Sequence, residues 1–295
     1  MILEQRSKGT RFIVCFMSVL REKPPMSKSK IHEMGSVLRK NGVIALDDWE
    51  TYLLHQEEIV SELARKLNDF VDSKVMPGGK TTEEIIVPGS GTYKVTRRVK
   101  SVVSLKEKLR RMPKTPLERI QDVAGARLDC DVTLTQQQRI AKGLYDLFTE
   151  CGANRVDIKD LRDGSHSGYR AIHLHLRFPA GFAEVQVRTA LQSRWANICE
   201  TAADIFGRQI RYLHEGTEVL LLPEAEINMK LLCELSTLIA QVEEMRDEHL
   251  GMGFSNVSDY DVRHSQEKIS IMEDRIHIIL NNLNEQFRDT QRRSL

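Results

Sequence analysis

Between Lys94 and Arg111 the chain carries eight basic side chains, Lys94, Arg97, Arg98, Lys100, Lys106, Lys108, Arg110 and Arg111, against one acid, Glu107. The 295-residue protein has 43 basic and 42 acidic residues and a formal charge of +1. The segment is therefore a local concentration of positive charge, suited to one polyanion rather than to bulk attraction for nucleic acid or membrane. Arg98 and Lys100, two apart, share one side of a strand. Ser104 and Glu107 make an S-x-x-E capping box that predicts a helix starting at Ser104. Ser104, Lys108 and Arg111 then fall at i, i+4 and i+7 on one helix face. Two strand cations, a helix N-terminus and two helix cations converge, and the free N–H groups of a helix N-terminus favour phosphate. A merely solvated face would interleave acids for i,i+4 pairing, and Glu107 stands alone.

A second set of residues could act on what the cations hold. "QDVAGARLDC" places Asp122 just before a Gly-bent strand carrying Arg127. "AEVQVRT" alternates Glu184, Gln186 and Arg188 with Val185, Val187 and Thr189. "SGYRAIHLH" alternates Tyr169, Ala171, His173 and His175 with Arg170, Ile172, Leu174, Leu176 and Phe178. The apolar sets serve a core, which turns Tyr169, His173, Glu184 and Gln186 to the polar side. Asp122 and Glu184, on separate strands beside the cations, suit Mg²⁺, which takes a few acidic oxygens plus substrate phosphates. The alternative is that Asp122 caps a turn and Glu184 pairs with Arg127 or Arg188.

The elements that must position these residues read as an α/β fold. Apolar residues at Trp49, Leu53, Val60, Leu63, Leu67 and Phe70 predict an amphipathic helix over 49–71. "VMPGGKTT" breaks it, and "EEIIVPGSGTYKVTRRVK" reads as a loop or hairpin ending in a strand. "ARLDCDV" is a strand, with Ala126, Leu128 and Cys130 on its apolar face. A helix capped by Thr135 and stopped at Gly152 follows, then the strands "NRVDIKD", "YRAIHLHLRF" and "AEVQVRT". Such alternation implies a sheet with helices against it. Beyond Pro223 only helical patterns remain, two segments flanking the turn "GMGFSN", which predict a helical hairpin. Five scattered cysteines, Cys15, Cys130, Cys151, Cys199 and Cys233, form no CxxC pair and suit reduced thiols in a cytoplasmic protein. The apolar run Phe12–Leu20 follows Lys8 and Arg11 like a signal sequence. It is nine residues long and lacks a small-residue cleavage site, so the reading adopted is a start placed too far upstream, with Met26 opening the protein.

Arg98-x-Lys100, Ser104, Lys108 and Arg111, then "DVAGAR", "GYRAIH" and "EVQVRT", in that order, resemble the synthetase domain of the RelA/SpoT family over about residues 94–212. The resemblance implies a nucleotidyltransferase-like mixed β-sheet flanked by helices, here with an N-terminal helix and a C-terminal helical hairpin. It implies residues 1–45 as an N-terminal extension, 46–215 as the synthetase domain and 216–295 as a helical extension. The implied activity is transfer of the β,γ-pyrophosphate of ATP to the ribose 3′-hydroxyl of GDP or GTP, yielding (p)ppGpp. Arg98 and Arg127 would sandwich the adenine, and Lys100, Ser104, Lys108 and Arg111 would hold the ATP phosphates. Asp122 and Glu184 would hold Mg²⁺, and Glu184 would assist removal of the 3′ proton. Tyr169 would stack on the acceptor base, with His173 and Gln186 nearby.

The chain also departs from the family pattern. It has no His-Asp dipeptide, so the hydrolase domain of the long members is absent, which makes it resemble a stand-alone small alarmone synthetase. "GSHS", Gly164–Ser167, stands where the family has Pro-Lys-x-Asn, with Ser165 in place of the lysine, and Cys199-Glu200 stands for Glu-His. "RWANICETAADIFGRQIRY" is similar to the toxic small synthetases, several of which pyrophosphorylate the 3′-CCA end of tRNA. That acceptor, contacted through "RDTQRRSL", is the enzyme alternative, and an inactive nucleotide- or RNA-binding module is the non-enzyme one. The hairpin could self-associate, dock an antitoxin protein, or pack on the domain itself.

Overall fold

The computed structural model describes residues 18–75, 80–84, 86, 88–207, 210, 223–252 and 258–293. In chain order its elements are α1 (Lys28–Arg39), α2 (Leu46–Phe70), β1 (Lys80–Thr81), β2 (Thr92–Val99), α3 (Val102–Arg111), β3 (Ala124–Cys130), α4 (Leu134–Glu150), β4 (Arg155–Asp160), β5 (Ile172–Phe178), β6 (Gly181–Thr189), α5 (Ala190–Phe206), α6 (Pro223–Met252) and α7 (Asp259–Arg293). The strands form one mixed sheet in the order β1-β2-β3-β6-β5-β4. β1 runs parallel to β2, and β3 to β6; the other neighbours are antiparallel. Lys80–Thr81, at the end of the segment read as a helix break, thus supplies a short parallel edge strand.

Period-two alternation divides the sheet. Ala126, Leu128, Leu174, Leu176, Val185 and Val187 are buried on one face. They meet Ile59, Leu63 and Leu67 of α2 and Ile140, Leu144 and Phe148 of α4 in the main core. Each such side chain stabilises the fold by roughly 1.5–3 kcal/mol relative to exposure. Leu20 belongs to the same core, and Arg21 donates to the carbonyls of Glu150 (2.6 Å) and Cys151 (3.1 Å) at the end of α4. Most of the apolar run Phe12–Leu20, and Cys15 with it, lies outside the described residues, as do most of "GMGFSN" and the Met76–Gly79 part of "VMPGGKTT". Cys130, Cys151, Cys199 and Cys233 are not joined in disulfides. Among the described residues no helix is long and apolar enough to cross a membrane.

Two helix starts differ from the sequence reading. α3 is capped by Ser101, whose hydroxyl accepts from the Ser104 amide at 3.3 Å, so Ser104 sits inside the first turn rather than at the cap. α4 is capped by Thr133 in a reciprocal box with Gln136, because Leu134 is already helical. Thr135 instead bonds Asp247 of α6 through its amide (2.9 Å) and hydroxyl (2.6 Å). α1 packs Ile31, Met34 and Leu38 against Leu105 and Leu109 of α3 and against Leu117. Gly35 permits that approach, since a β-carbon there would stand 2.6 Å from Leu117 Cβ.

α6 and α7 pack on the domain's own surface. Leu232, Leu235, Ile239, Ile276, Leu280 and Phe287 bury against Trp195 and Ala202 of α5. The joint is partly polar: Glu243, 2% exposed, accepts from the Thr189 hydroxyl and from Gln192 Nε2 at the start of α5. Burial pushes its carboxyl up, and the hydrogen bonds from Thr189 and Gln192 only partly offset this. A folded-state pKa above the unfolded one gives stability that is full below the ordinary carboxyl range and is lost as pH rises through the folded pKa. Glu243→Gln should remove this slope, so that its urea midpoint improves relative to the parent protein as pH rises above the ordinary carboxyl range.

Candidate active site

The polar face of the sheet is a lattice set by strand register. One row runs Arg98, Gly125, Glu184, His175, and the next runs Thr96, Arg127, Gln186, His173. Gly125 contributes no side chain between Arg98 and Glu184, which leaves the floor open there. Asp122, just before β3, faces the same space, and a cleft of about 250 Å³ over Gly125 is bounded by Arg98, Asp122, Arg127 and Glu184. It continues into a larger cleft of about 440 Å³ that adds Lys100, Lys108, Arg111, Tyr169, His173 and Gln186. Ser104 lines the adjoining hollow with Lys100, Lys108 and Arg111. The structure thus brings all eleven residues read as site residues to one connected depression.

Charge inside it is tightly organised. Asp122 accepts from Lys100 Nζ through one oxygen and Lys108 Nζ through the other, both at 2.7 Å. Burial would raise the Asp122 carboxyl, but the two ammonium groups outweigh it and hold it below the usual carboxylate range. Burial lowers Lys100 in turn, against the pull of Asp122. Arg98 is also lowered, by burial and by Arg127 facing it. Glu184 pairs with neither Arg127 nor Arg188. It accepts from Gln186 Nε2 at 2.6 Å and lies 3.6 Å from His173 Nδ1 and 3.4 Å from His175 Nε2. Burial opposes its ionisation, yet His175, His173 and the Gln186 amide outweigh that and hold it at about 2. His173 is pushed down to about 4, chiefly by burial, so its ring is neutral at neutral pH.

Three groups at the cleft, Glu200, Arg188 and His175, were not read as site residues from sequence. Arg127 donates to Glu200 of α5 at 2.5 Å. Arg188, 2% exposed, donates to Tyr169 Oη at 3.0 Å and Gln186 Oε1 at 2.7 Å, and its guanidinium lies 5.3 Å from the Tyr169 ring centroid. Its Nε and Nη1 are buried without a hydrogen-bond partner. His175 joins Glu184 from the next strand. The alternation of "EVQVRT" already put Arg188 on the face of Glu184; the Glu200 contact, 73 residues away, left no local signal.

Tyr169 departs from the strand assigned to it. β5 begins at Ile172, and Tyr169 sits in a bridged turn with His166, built on Ser167 (φ 52°) and Gly168 (φ 82°). α6 holds this turn. Ser236 Oγ donates to the Gly168 carbonyl and accepts from Arg170 Nε at 3.0 Å, and Cys233 Sγ reaches the Ser167 carbonyl at 3.5 Å. A β-carbon on Gly168 would meet Trp195 and Ser236 at 3.1 Å, so both its backbone angle and the space demand glycine. Tyr169 Oη still reaches His173 Nε2 at 2.8 Å, which keeps the ring at the cleft.

Comparison with known proteins agrees with this geometry. A sequence profile described as the region found in RelA / SpoT proteins matches residues 97–205. The uncharacterized protein Rv1366 of Mycobacterium tuberculosis is 40% identical over 197 residues, 65% of this chain and 64% of that one, so the chain spans slightly under two thirds of that relative's length. The GTP pyrophosphokinase YjbM of Bacillus subtilis is 32% identical over 166 residues, 52% of this chain and 72% of that one. A GTP pyrophosphokinase family protein from Streptococcus pneumoniae superposes with a TM-score of 0.50 at 23% identity, covering 70% of this chain and 95% of that structure, a likeness of fold.

The Asp122 pair generates a stability test. Asp122→Asn leaves Lys100 and Lys108 facing each other, and all three side chains are at most 22% exposed. The variant should lose about 1–3 kcal/mol at neutral pH. Because the Asp122 pKa is depressed, its contribution is present above the ordinary carboxyl range and is lost as pH falls through the folded pKa. Urea unfolding should therefore separate the two proteins at neutral pH and bring them together as the solution is acidified.

Proposed function

The chain belongs to the RelA/SpoT family, and we propose that it transfers the β,γ-pyrophosphate of ATP to the ribose 3′-hydroxyl of GDP or GTP. The observation that carries this reading is the joint exposure of Asp122, Glu184 and the basic side chains in one cleft. Six cations, Arg98, Lys100, Lys108, Arg111, Arg127 and Arg188, line it against three carboxylates, Asp122, Glu184 and Glu200. The excess of positive charge suits a triphosphate, and transfer of this kind is catalysed mainly by positioning and charge neutralisation.

Arg98 and Arg127, set close enough to repel, take the two faces of the adenine, since guanidinium planes stack on aromatic rings. Arg127 leaves Glu200 to do so. Lys100, Ser104, Lys108 and Arg111 take the phosphates. Asp122 and Glu184, ionised and facing one space, fit Mg²⁺, which when bound supplies charge neutralisation between the triphosphate and the acceptor oxygen. Holding the ion, Asp122 would give up its contacts with Lys100 and Lys108 and leave both ammonium groups to phosphate. Glu184, at about 2, is too acidic to retain a proton at neutral pH. It accordingly orients the 3′-hydroxyl as a hydrogen-bond acceptor, and a proton it takes from that hydroxyl is released to water. The acceptor base stacks on the ring face of Tyr169 opposite Arg188, with His173 and Gln186 beside it.

One observation favours the 3′ end of tRNA as a second acceptor. Phe287 of α7 packs on Phe206 of α5, ring centroids 5.9 Å apart, which anchors the tail on the helix whose Glu200 and Asp204 line the cation hollow. The exposed Arg288 and Arg292 follow it and would offer positive charge to a nucleic-acid backbone. No lysine stands at Ser165, which bonds Asp163 instead (3.0 Å).

Incubation with γ-³²P-ATP and GDP, GTP or deacylated tRNA tests the reading: label should enter a guanosine nucleotide. Glu184→Gln should lower that rate by ~10²–10⁴ while ATP binding, measured by calorimetry, persists; near-normal turnover would make Glu184 structural. Truncation after Phe287 should leave GDP labelling intact. If tRNA is labelled, truncation should reduce that reaction and flatten its salt dependence, and full-rate tRNA labelling by the truncated protein would dismiss the tail's part.

A further inference from the structure

His173, His175 and Glu184 meet on neighbouring antiparallel strands. The two histidines are two residues apart on β5, so both rings leave on the face that carries Glu184, and Glu184 is the register partner of His175. Glu184 Oε1 lies 3.6 Å from His173 Nδ1, and Oε2 lies 3.4 Å from His175 Nε2. One ligand atom from each residue fits within a mutual span of 4.8 Å. Ligands of a tetrahedral ion with bonds of about 2.0–2.2 Å stand roughly 3.3–3.5 Å apart; each ring nitrogen is already near that spacing from its own carboxylate oxygen, and small rotations of the rings and the carboxyl bring both nitrogens around one oxygen. The outer contact is in place as well. Tyr169 Oη occupies His173 Nε2 at 2.8 Å and leaves Nδ1 turned to the carboxylate, the usual way a ligating imidazole is oriented.

We propose that His173, His175 and Glu184 form a binding site for a divalent transition-metal ion of the zinc type, with its fourth position open to the cleft that His173 and Glu184 line. Two imidazole nitrogens and one carboxylate suit a borderline cation and disfavour Mg²⁺, which prefers oxygen donors. The site is distinct from the Asp122–Glu184 pair, because Asp122 lies on the lysine side of Glu184 and the histidines lie on the other. An ion here engages the carboxylate that the pyrophosphotransfer reading assigns to the 3′-hydroxyl, and in that consequence alone the inference rests on that reading: zinc should slow transfer.

The test is a titration of the full-length, chelator-stripped protein with Co²⁺, followed by its visible absorption, and displacement by Zn²⁺. One saturable equivalent is expected. His175→Ala and the gentler His175→Gln should weaken binding by more than about tenfold, with folding checked by circular dichroism, while Asp122→Asn keeps the Co²⁺ spectrum. Absence of a saturable band, parent-like binding by a folded His175 variant, or loss of the spectrum in folded Asp122→Asn would each overturn the site. Failure to label any acceptor would sink the transfer reading and leave the Co²⁺ result standing.

Discussion

Every functional side chain on the sheet is placed by a demand that has nothing to do with function: α2 and α4 must be covered. Ala126 and Leu128 on β3, Leu174 and Leu176 on β5, and Val185 and Val187 on β6 all face those helices. With a side-chain period of two, their neighbours have no choice but the opposite face. Arg127, His173, Glu184 and Gln186 are those neighbours. A one-residue slip of any of these strands would bury a charge and expose the core together, so the core protects the register of the site.

On the open face the governing problem is like charge. Lys100 and Lys108 approach one another only because Asp122 lies between them, with one oxygen for each. Arg127 is similarly held by Glu200, and Arg188 by Tyr169 and Gln186. These internal partners hold long flexible cations in place, so part of the ordering entropy that a bound polyanion would otherwise impose is already met. The arrangement trades protein carboxylate for ligand phosphate at nearly constant local charge.

The cluster of cations was legible because its information is local. Arg98, Lys100, Lys108 and Arg111 lie within fourteen consecutive residues of one strand–helix unit, and periodicity alone gathers them. An error there was small: the helix is capped by Ser101 and begins at Val102, two residues ahead of Ser104, since Val102 and Val103 are helical despite their β-branching. The acceptor side depends on contacts between distant segments. Tyr169 was read onto a strand because alternation continues through it, but Ser167 and Gly168 turn the chain there. The reason for that turn lies in Cys233 and Ser236, more than sixty residues further on. The His175–Glu184 contact needed the pairing of β5 with β6, which no single strand displays.

The hold of α6 on the Gly168 turn has a consequence in time. A growing chain leaves the ribosome N-terminus first, at about 5–20 residues per second. When α5 has emerged, the sheet, the cations of α3 and both carboxylates are all present in the polypeptide, whereas Ser236 and Cys233 have yet to be made. The nascent protein can therefore assemble the cation-lined half of the cleft before the turn that carries Tyr169 has anything to rest against. α6, synthesised after α5, completes the support of that turn, and an interrupted chain ending at α5 lacks it.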